Sequence, residues 1–136
     1  MTRELFVDSS AWIALADDAD QYHDAAAEAY PGFLKGYQRL VTTNLVVAET
    51  YITLRRGLGS QAALAFLEGI DGSIRIEKVY STPELEKAAA GLLRQYEDHD
   101  FSFIDAASFA LMAEREITQA FAFDHHFITA GFSLVP

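Results

Sequence analysis

The chain contains no cysteine, which excludes disulfide staples, thiolate metal sites and a cysteine nucleophile, and fits a reducing compartment. Positive charge is scarce as well: ten Lys and Arg stand against twenty Asp and Glu, a formal net charge of −10 at pH 7. Such a surface repels RNA, DNA and anionic membranes at long range, so any contact with nucleic acid must be local. Long apolar runs are also missing. Between Met1 and Ala16, Glu4, Asp8, Ser9 and Ser10 break up the apolar stretches, and nowhere does one approach the ~18 residues of a membrane span. Neither a signal peptide nor a membrane anchor is expected, and the cytoplasm is the expected location. Linkers, repeats and low-complexity tracts are absent too. With 136 residues, 51% of them apolar, the chain can bury one continuous core, so a single domain over residues 1–136 is expected.

What is present alternates between strand and helix signals. Leu5 to Val7 form a short β-type run ending in Asp8, and Ser9 or Ser10 is placed to cap a helix from Ala11 to Ala16. After the polar turn at Asp17 to Asp20, Tyr22 to Tyr30 reads as an alanine-rich helix that Pro31 and Gly32 interrupt, with a possible resumption through Leu34. Leu40 to Thr43 reads as a second strand, with Asn44 as N-cap of a helix from Leu45 to about Arg56 that Gly57 and Gly59 stop, and a further helix follows from Gln61 to Glu68. Ile74, Ile76 and Val79 alternate with charged residues as in a strand, and Thr82 with Glu84 and Glu86 starts a helix to about Glu97. Ser102 caps an apolar helix from Phe103 to about Glu114, Ala120 to Phe123 makes a last strand ending at Asp124, and Phe127 to Pro136 reads as a short tail. Strands separated by helices along the whole chain predict an α/β sandwich around a mostly parallel sheet.

Chemistry concentrates on four acids. Two predicted strands run directly into aspartates, Asp8 and Asp124, and ligands in open α/β sheets bind beyond the carboxyl ends of strands. Either aspartate alone is an ordinary turn or cap residue; the coincidence favours a site. Glu49 lies among Leu45, Val46, Val47, Ala48, Ile52 and Leu54 on a helix that is apolar over most of its circumference, so its carboxylate needs a metal, a cation, a proton or an exposed helix shoulder. Asp105 follows Ser102 by three residues and fits a capping box, yet the apolar helix around it places its carboxylate at the rim of the core, where it can cap and coordinate. Together Asp8, Glu49, Asp105 and Asp124 make an all-oxygen set suited to Mg²⁺ or Mn²⁺, and the chemistry implied is metal-assisted phosphodiester hydrolysis. Bound ions would also convert a repulsive acidic pocket into one that attracts phosphate.

With these residues placed, the chain resembles the PIN-domain family, particularly the VapC-type toxins of prokaryotic toxin–antitoxin pairs, over nearly its full length. The stretches that carry the resemblance are FVDSSAW (Phe6 to Trp12), TTNLVVAET (Thr42 to Thr50), FSFIDAASFALM (Phe101 to Met112) and AFDHHF (Ala122 to Phe127). The resemblance implies a three-layer sandwich with a five-stranded parallel sheet, a homodimer, Mg²⁺, and endonucleolytic cleavage of structured RNA such as transfer or ribosomal RNA. It implies that Asp8, Glu49, Asp105 and Asp124 are the acidic quartet, with Asp8 and Asp105 as the direct metal ligands. Ser9 or Ser10 and Asn44 match supporting polar neighbours, and Ser102 is placed to support Asp105. It also implies a small antitoxin whose arginine-bearing tail enters the carboxylate pocket. One departure stands out: where relatives with this fourth motif often carry a further acid, this chain has His126. That substitution bears on a second metal site. A phosphate contact or an acid role is open to His125 and His126, and exposed, uninvolved histidines are the plainer expectation.

Arg56 lies seven residues, two helical turns, beyond Glu49 and so shares its face; it is a candidate for a substrate phosphate, as much as Arg55 and Arg56 are simply basic residues at a helix C-terminus. Tyr22, His23, Tyr30, Phe33 and Tyr37 are read as mostly core, with His23 a surface or capping histidine; in related toxins this region would lie near the antitoxin and dimer surfaces. Two other readings compete. A receiver domain needs a paired acid after the first strand and a lysine after the last, and an aspartyl phosphatase needs a second Asp two residues after Asp8; this chain has Ser9 and Ser10 there and no lysine beyond Lys87. The alternative that keeps the fold is a catalytically inactive RNA- or protein-binding scaffold, and the survival of all four acids speaks against it.

Overall fold

The computed structural model describes residues 3–136; Met1 and Thr2, where the N-terminal reading and the expected domain begin, lie outside the described residues. The elements run β1 (Glu4–Val7), α1 (Ser9–Ala16), α2 (His23–Gly36), β2 (Arg39–Thr43), α3 (Asn44–Leu58), α4 (Ser60–Gly72), β3 (Ile76–Val79), α5 (Pro83–Gln95), α6 (Phe103–Arg115), β4 (Gln119–Phe121), α7 (His126–Thr129) and β5 (Ser133–Val135). All strand pairs are parallel, in the order β3-β2-β1-β4-β5, and helices cover the sheet as an α/β sandwich. The order reverses at β1, whose neighbours β2 and β4 lead to opposite edges. The carboxyl ends of β1 and β4 therefore flank the usual ligand position in such sheets. Among the described residues no helix is long and apolar enough to cross a membrane.

The central strand explains the core. Leu5, Phe6 and Val7 are fully buried because β1 has a strand on either side and helices over both faces, which a continuous apolar run suits. Phe6 packs against Phe127, with ring centroids 6.1 Å apart, and removing the Phe6 side chain would cost about 3–5 kcal/mol. The buried polar groups beside the strand are satisfied: Thr42 Oγ1 donates to the Val7 carbonyl at 2.9 Å and accepts from Trp12 Nε1 at 3.3 Å.

Several expected boundaries move, each for a local reason. Helix α2 runs unbroken through Pro31, because Tyr30, Phe33 and Leu34 pack against the core on either side of the proline and hold the turn together. Thr43, not Asn44, caps α3, its hydroxyl accepting the Val46 N–H at 3.0 Å, while Asn44 Oδ1 accepts the Ser81 N–H at 2.8 Å. Gly59, at φ +97°, makes the tight break between α3 and α4 that a residue with a Cβ would resist. Ile74 is 97% exposed and precedes β3 instead of belonging to it. Strand β4 stops at Phe121, so Asp124 follows it by three residues, across Ala122 and Phe123. The expected tail folds into α7 and β5, drawn in by Phe127, which is fully buried, and by Phe132, Leu134 and Val135.

Candidate active site

Asp8 leaves β1 at the point where the sheet order reverses, and its own carboxylate caps α1 in place of the expected serine. Its Oδ2 accepts from the Ser10 main-chain N–H at 3.2 Å and from the Ser10 hydroxyl at 2.8 Å, since a short carboxylate reaches these first-turn donors readily. Ser9 is the first helical residue. Ser10 Oγ also accepts the Phe123 N–H at 3.0 Å, tying the exit of β1 to the exit of β4. Asp8 is only 4% exposed. Burial, the largest effect, pushes its carboxyl up to about 6 against the lowering pull of the Ser10 bonds, and the negative charge of Asp105 adds to the rise.

Asp105 sits on the first turn of α6 within the expected capping box: Ser102 Oγ accepts the Asp105 N–H at 3.0 Å, and Asp105 Oδ2 accepts the Ser102 N–H at 3.0 Å. The same Oδ2 lies 3.1 Å from His126 Nδ1. Asp124 arrives from the β4 side, its Oδ1 accepting the His126 main-chain N–H at 2.9 Å and standing 3.6 Å from His126 Nδ1. The ligand atoms of Asp105, Asp124 and His126 all lie within 4.8 Å of one another. His126 is thus half-buried between two carboxylates, and the expectation of an exposed histidine is corrected; its spacing of two residues beyond Asp124 is the sequence signal for that place. Partial burial disfavours its cation, but the bond to Asp105 and the charges of Asp124, Asp105 and Asp100 outweigh this, so its pKa is raised. His125 is exposed.

The other expected site residues stand outside this trio. Glu49 is half-buried on α3, a helix that packs against both α1 and α6, and its carboxylate has no hydrogen bond or ion pair among the described residues. Asn44 is engaged with Ser81, and Arg56 is exposed near the end of α3. His23 does cap, its Nδ1 lying 2.7 Å from the Ala14 carbonyl near the end of α1. Tyr30 and Phe33 are half-buried against the core and Tyr37 is buried, whereas Tyr22 is exposed and stacks on Phe123, the neighbour of Asp124, at 4.5 Å and 4° between ring planes. An apolar cleft of about 440 Å³, lined by Trp12, Leu15, Tyr30, Phe66 and Ile70, lies away from the carboxylates.

Two carboxylates and one imidazole within ligating reach of one another, with the Asp8 carboxylate close to Asp105 and no thiolate in the chain, fit a hard or borderline divalent ion such as Mg²⁺ or Mn²⁺. The fold and this carboxylate cluster agree with the comparison across known families: the PIN-domain model matches residues 5–133, and the chain belongs to that family. It is 36% identical over 129 residues, 94% of this chain and 95% of the relative, to the 23S rRNA-specific endonuclease VapC20 of Mycobacterium tuberculosis. The crystal structure of the M. tuberculosis VapC20 toxin, described as cleaving the sarcin–ricin loop, superposes with a TM-score of 0.87 at 34% identity, covering 94% of this chain and 95% of that one. VapBC2 of Rickettsia felis, crystallised with a promoter DNA fragment, shares the fold at a TM-score of 0.67 and 11% identity, covering 97% of each chain.

Proposed function

We propose that the chain is a divalent-metal-dependent endoribonuclease of a single domain that cuts structured RNA, and that it is the toxin of a type II toxin–antitoxin pair. The observation that carries this reading is the gathering of Asp105, Asp124 and His126 within ligating distance of one another, with the buried Asp8 carboxylate near enough to feel the charge of Asp105. Ribosomal RNA is favoured over transfer RNA by the similarity to VapC20. Asp105 and Asp124 would hold the ion, with Asp8 beside them, and Glu49 is proposed as the further acid contributed from α3. When bound, Mg²⁺ or Mn²⁺ supplies an activated water and charge to offset the leaving oxygen.

The chain's own part is positioning. Ser10 and Ser102 hold Asp8 and Asp105 in fixed rotamers, and Arg56 is a candidate for a phosphate further along the RNA. With a net charge of −10, a basic partner is the natural complement. A small antitoxin fits that role, burying apolar residues in the Trp12–Tyr30–Phe66 cleft and reaching the carboxylates with an arginine. A homodimer in the cytoplasm is proposed as well, with exposed Ile52 and Leu58 on α3 and Leu64 on α4 as apolar area for a second copy to cover.

The test is incubation of the purified, antitoxin-free protein with intact ribosomes and with total RNA in Mg²⁺ or Mn²⁺, followed by mapping of new 5′ ends, with EDTA and Asp8→Asn as controls. Discrete cuts in ribosomal RNA that both controls abolish are expected. A folded, metal-binding protein that cuts no RNA in either ion would sink the nuclease reading in favour of a binding scaffold. Unchanged cleavage and RNA affinity in Arg56→Ala would remove Arg56 from it.

A further inference from the structure

Resting on the metal-dependent reading above, we propose that His126 is itself a metal ligand, closing with Asp105 and Asp124 a mixed oxygen–nitrogen site that selects Mn²⁺ over Mg²⁺. The spacing of the donors is the first argument. His126 Nδ1 lies 3.1 Å from Asp105 Oδ2 and 3.6 Å from Asp124 Oδ1. Neighbouring donors around a six-coordinate ion with bonds of about 2.1 Å stand about 3 Å apart. An ion can therefore enter between these atoms with small side-chain shifts.

The second argument is orientation. His126 opens α7, and its main-chain N–H holds Asp124 Oδ1 at 2.9 Å, so one turn of chain sets the carboxylate and the imidazole together. Phe127, fully buried, pins that turn against Phe6 and Phe109. On its other side the imidazole meets the Phe101 ring nearly edge-on at 5.2 Å and 69°. A side chain confined by an aromatic wall and a buried anchor is presented to the carboxylates and is not sweeping through solvent.

Donor chemistry then decides the ion. Mg²⁺ demands oxygen donors in near-ideal octahedral geometry, whereas imidazole is an ordinary ligand for first-row transition ions, whose affinity for a mixed site rises from Mn²⁺ onward. An acid at this position would accept Mg²⁺ and Mn²⁺ alike; the histidine removes one negative charge and one hard donor, which penalises Mg²⁺ more. The alternative role for His126 is a positioning residue that holds Asp105 by a hydrogen bond and never touches the ion.

The experiment titrates the full-length folded protein with Mn²⁺ and with Mg²⁺ by calorimetry and records the nitrogen-14 modulation in the pulsed electron spin resonance of the Mn²⁺-loaded protein. We expect a Mn²⁺ preference of at least tenfold, a nitrogen coupling that persists in His125→Ala and vanishes in His126→Asp and His126→Gln, and a preference reduced about tenfold in His126→Asp through a gain in Mg²⁺ affinity. Bound Mn²⁺ without nitrogen coupling, or a preference unchanged in His126→Asp, would reduce His126 to a positioning residue and overturn the proposal. A folded protein that binds neither ion would overturn the metal-dependent reading itself. Circular dichroism of each variant separates these outcomes from misfolding.

Discussion

The two ends of the sheet treat the same functional group in opposite ways. At the amino ends of the strands, Glu4 and Glu77 are each matched with guanidinium groups: Arg115 reaches Glu77 at 2.7 Å and Glu4 at 3.3 Å, and Arg39 reaches Glu77 at 3.1 Å. At the carboxyl ends, Asp105 and Asp124 gather around His126 with Asp8 close to Asp105, and among the described residues no lysine or arginine pairs with these acids. Helix α6 spans both ends, with Asp105 on its first turn and Arg115 on its last, so one element carries an acid met by an imidazole and a base paired with two glutamates. Each also suits the helix dipole. The difference is one of compensation: the amino end matches its acids with guanidinium groups, and the carboxyl end leaves its acids to a single imidazole, a deficit that a bound cation would fill on the proposed reading.

The largest expected break of this contrast is at the unpaired end. If Asp105 holds the ion as proposed, Asp105→Asn should lower RNA cleavage by about 1,000-fold, while a denaturant melt shows a change within about 1 kcal/mol because the amide oxygen can still cap α6. Retained cleavage would place the site elsewhere.

Next in size is a pH effect of metal-free protein. The Asp8 carboxyl titrates at about 6 in the fold against 3.8 when free, so its contribution to stability is fully present below pH 3.8 and is lost as pH rises through 6. The loss is of order 3 kcal/mol at most. Denaturant melts in EDTA should therefore show Asp8→Asn gaining on the wild type from pH 4 to pH 7.5, and equal pH profiles would refute the buried-charge account. The paired end has the opposite sign. Arg115, the largest influence, holds Glu77 below its ordinary 4.5, so that stability is present above pH 4.5 and is lost as pH falls further.

Breaking the paired end gives a smaller effect, because its groups are about one-third exposed. Arg115→Met should cost about 1–2 kcal/mol in denaturant melts and leave cleavage unchanged. A loss of activity without a loss of stability would show that the two ends are not separable in this way. Smallest is Ser10→Ala, which leaves the Phe123 N–H and one side of Asp8 without a partner; about 1 kcal/mol of stability and up to tenfold in cleavage are expected, and an unchanged cleavage rate would free Asp8 from any need of Ser10.

How far the site could be read in advance follows from the range of each signal. Asp8 was legible because an apolar run ended on it, and Asp105 because a capping box has a fixed three-residue spacing. The parallel sandwich followed from strands alternating with helices. What stayed hidden depended on contacts between distant segments. The three-residue β5 is too short for any periodicity and exists by pairing with β4. The place of His126 depends on the seating of the four-residue α7, which Phe127 sets through its contacts with Phe6 and Phe109. Pro31 signals a break that does not occur, because the core beneath Tyr30 and Phe33 overrides the local backbone preference. Resemblance supplied the five-strand count that residue patterns alone did not.

The capping box of α6 has one more consequence, and it concerns disorder. Asp105 is held by its own helix, because the Ser102 N–H donates to one of its oxygens at the helix start. An acid on a loose loop would surrender about 0.5–1.5 kcal/mol of rotational freedom on capturing an ion. Here that freedom was given up when the helix formed, so on the proposed reading the capture of an ion would be an event of charge and desolvation with little conformational search.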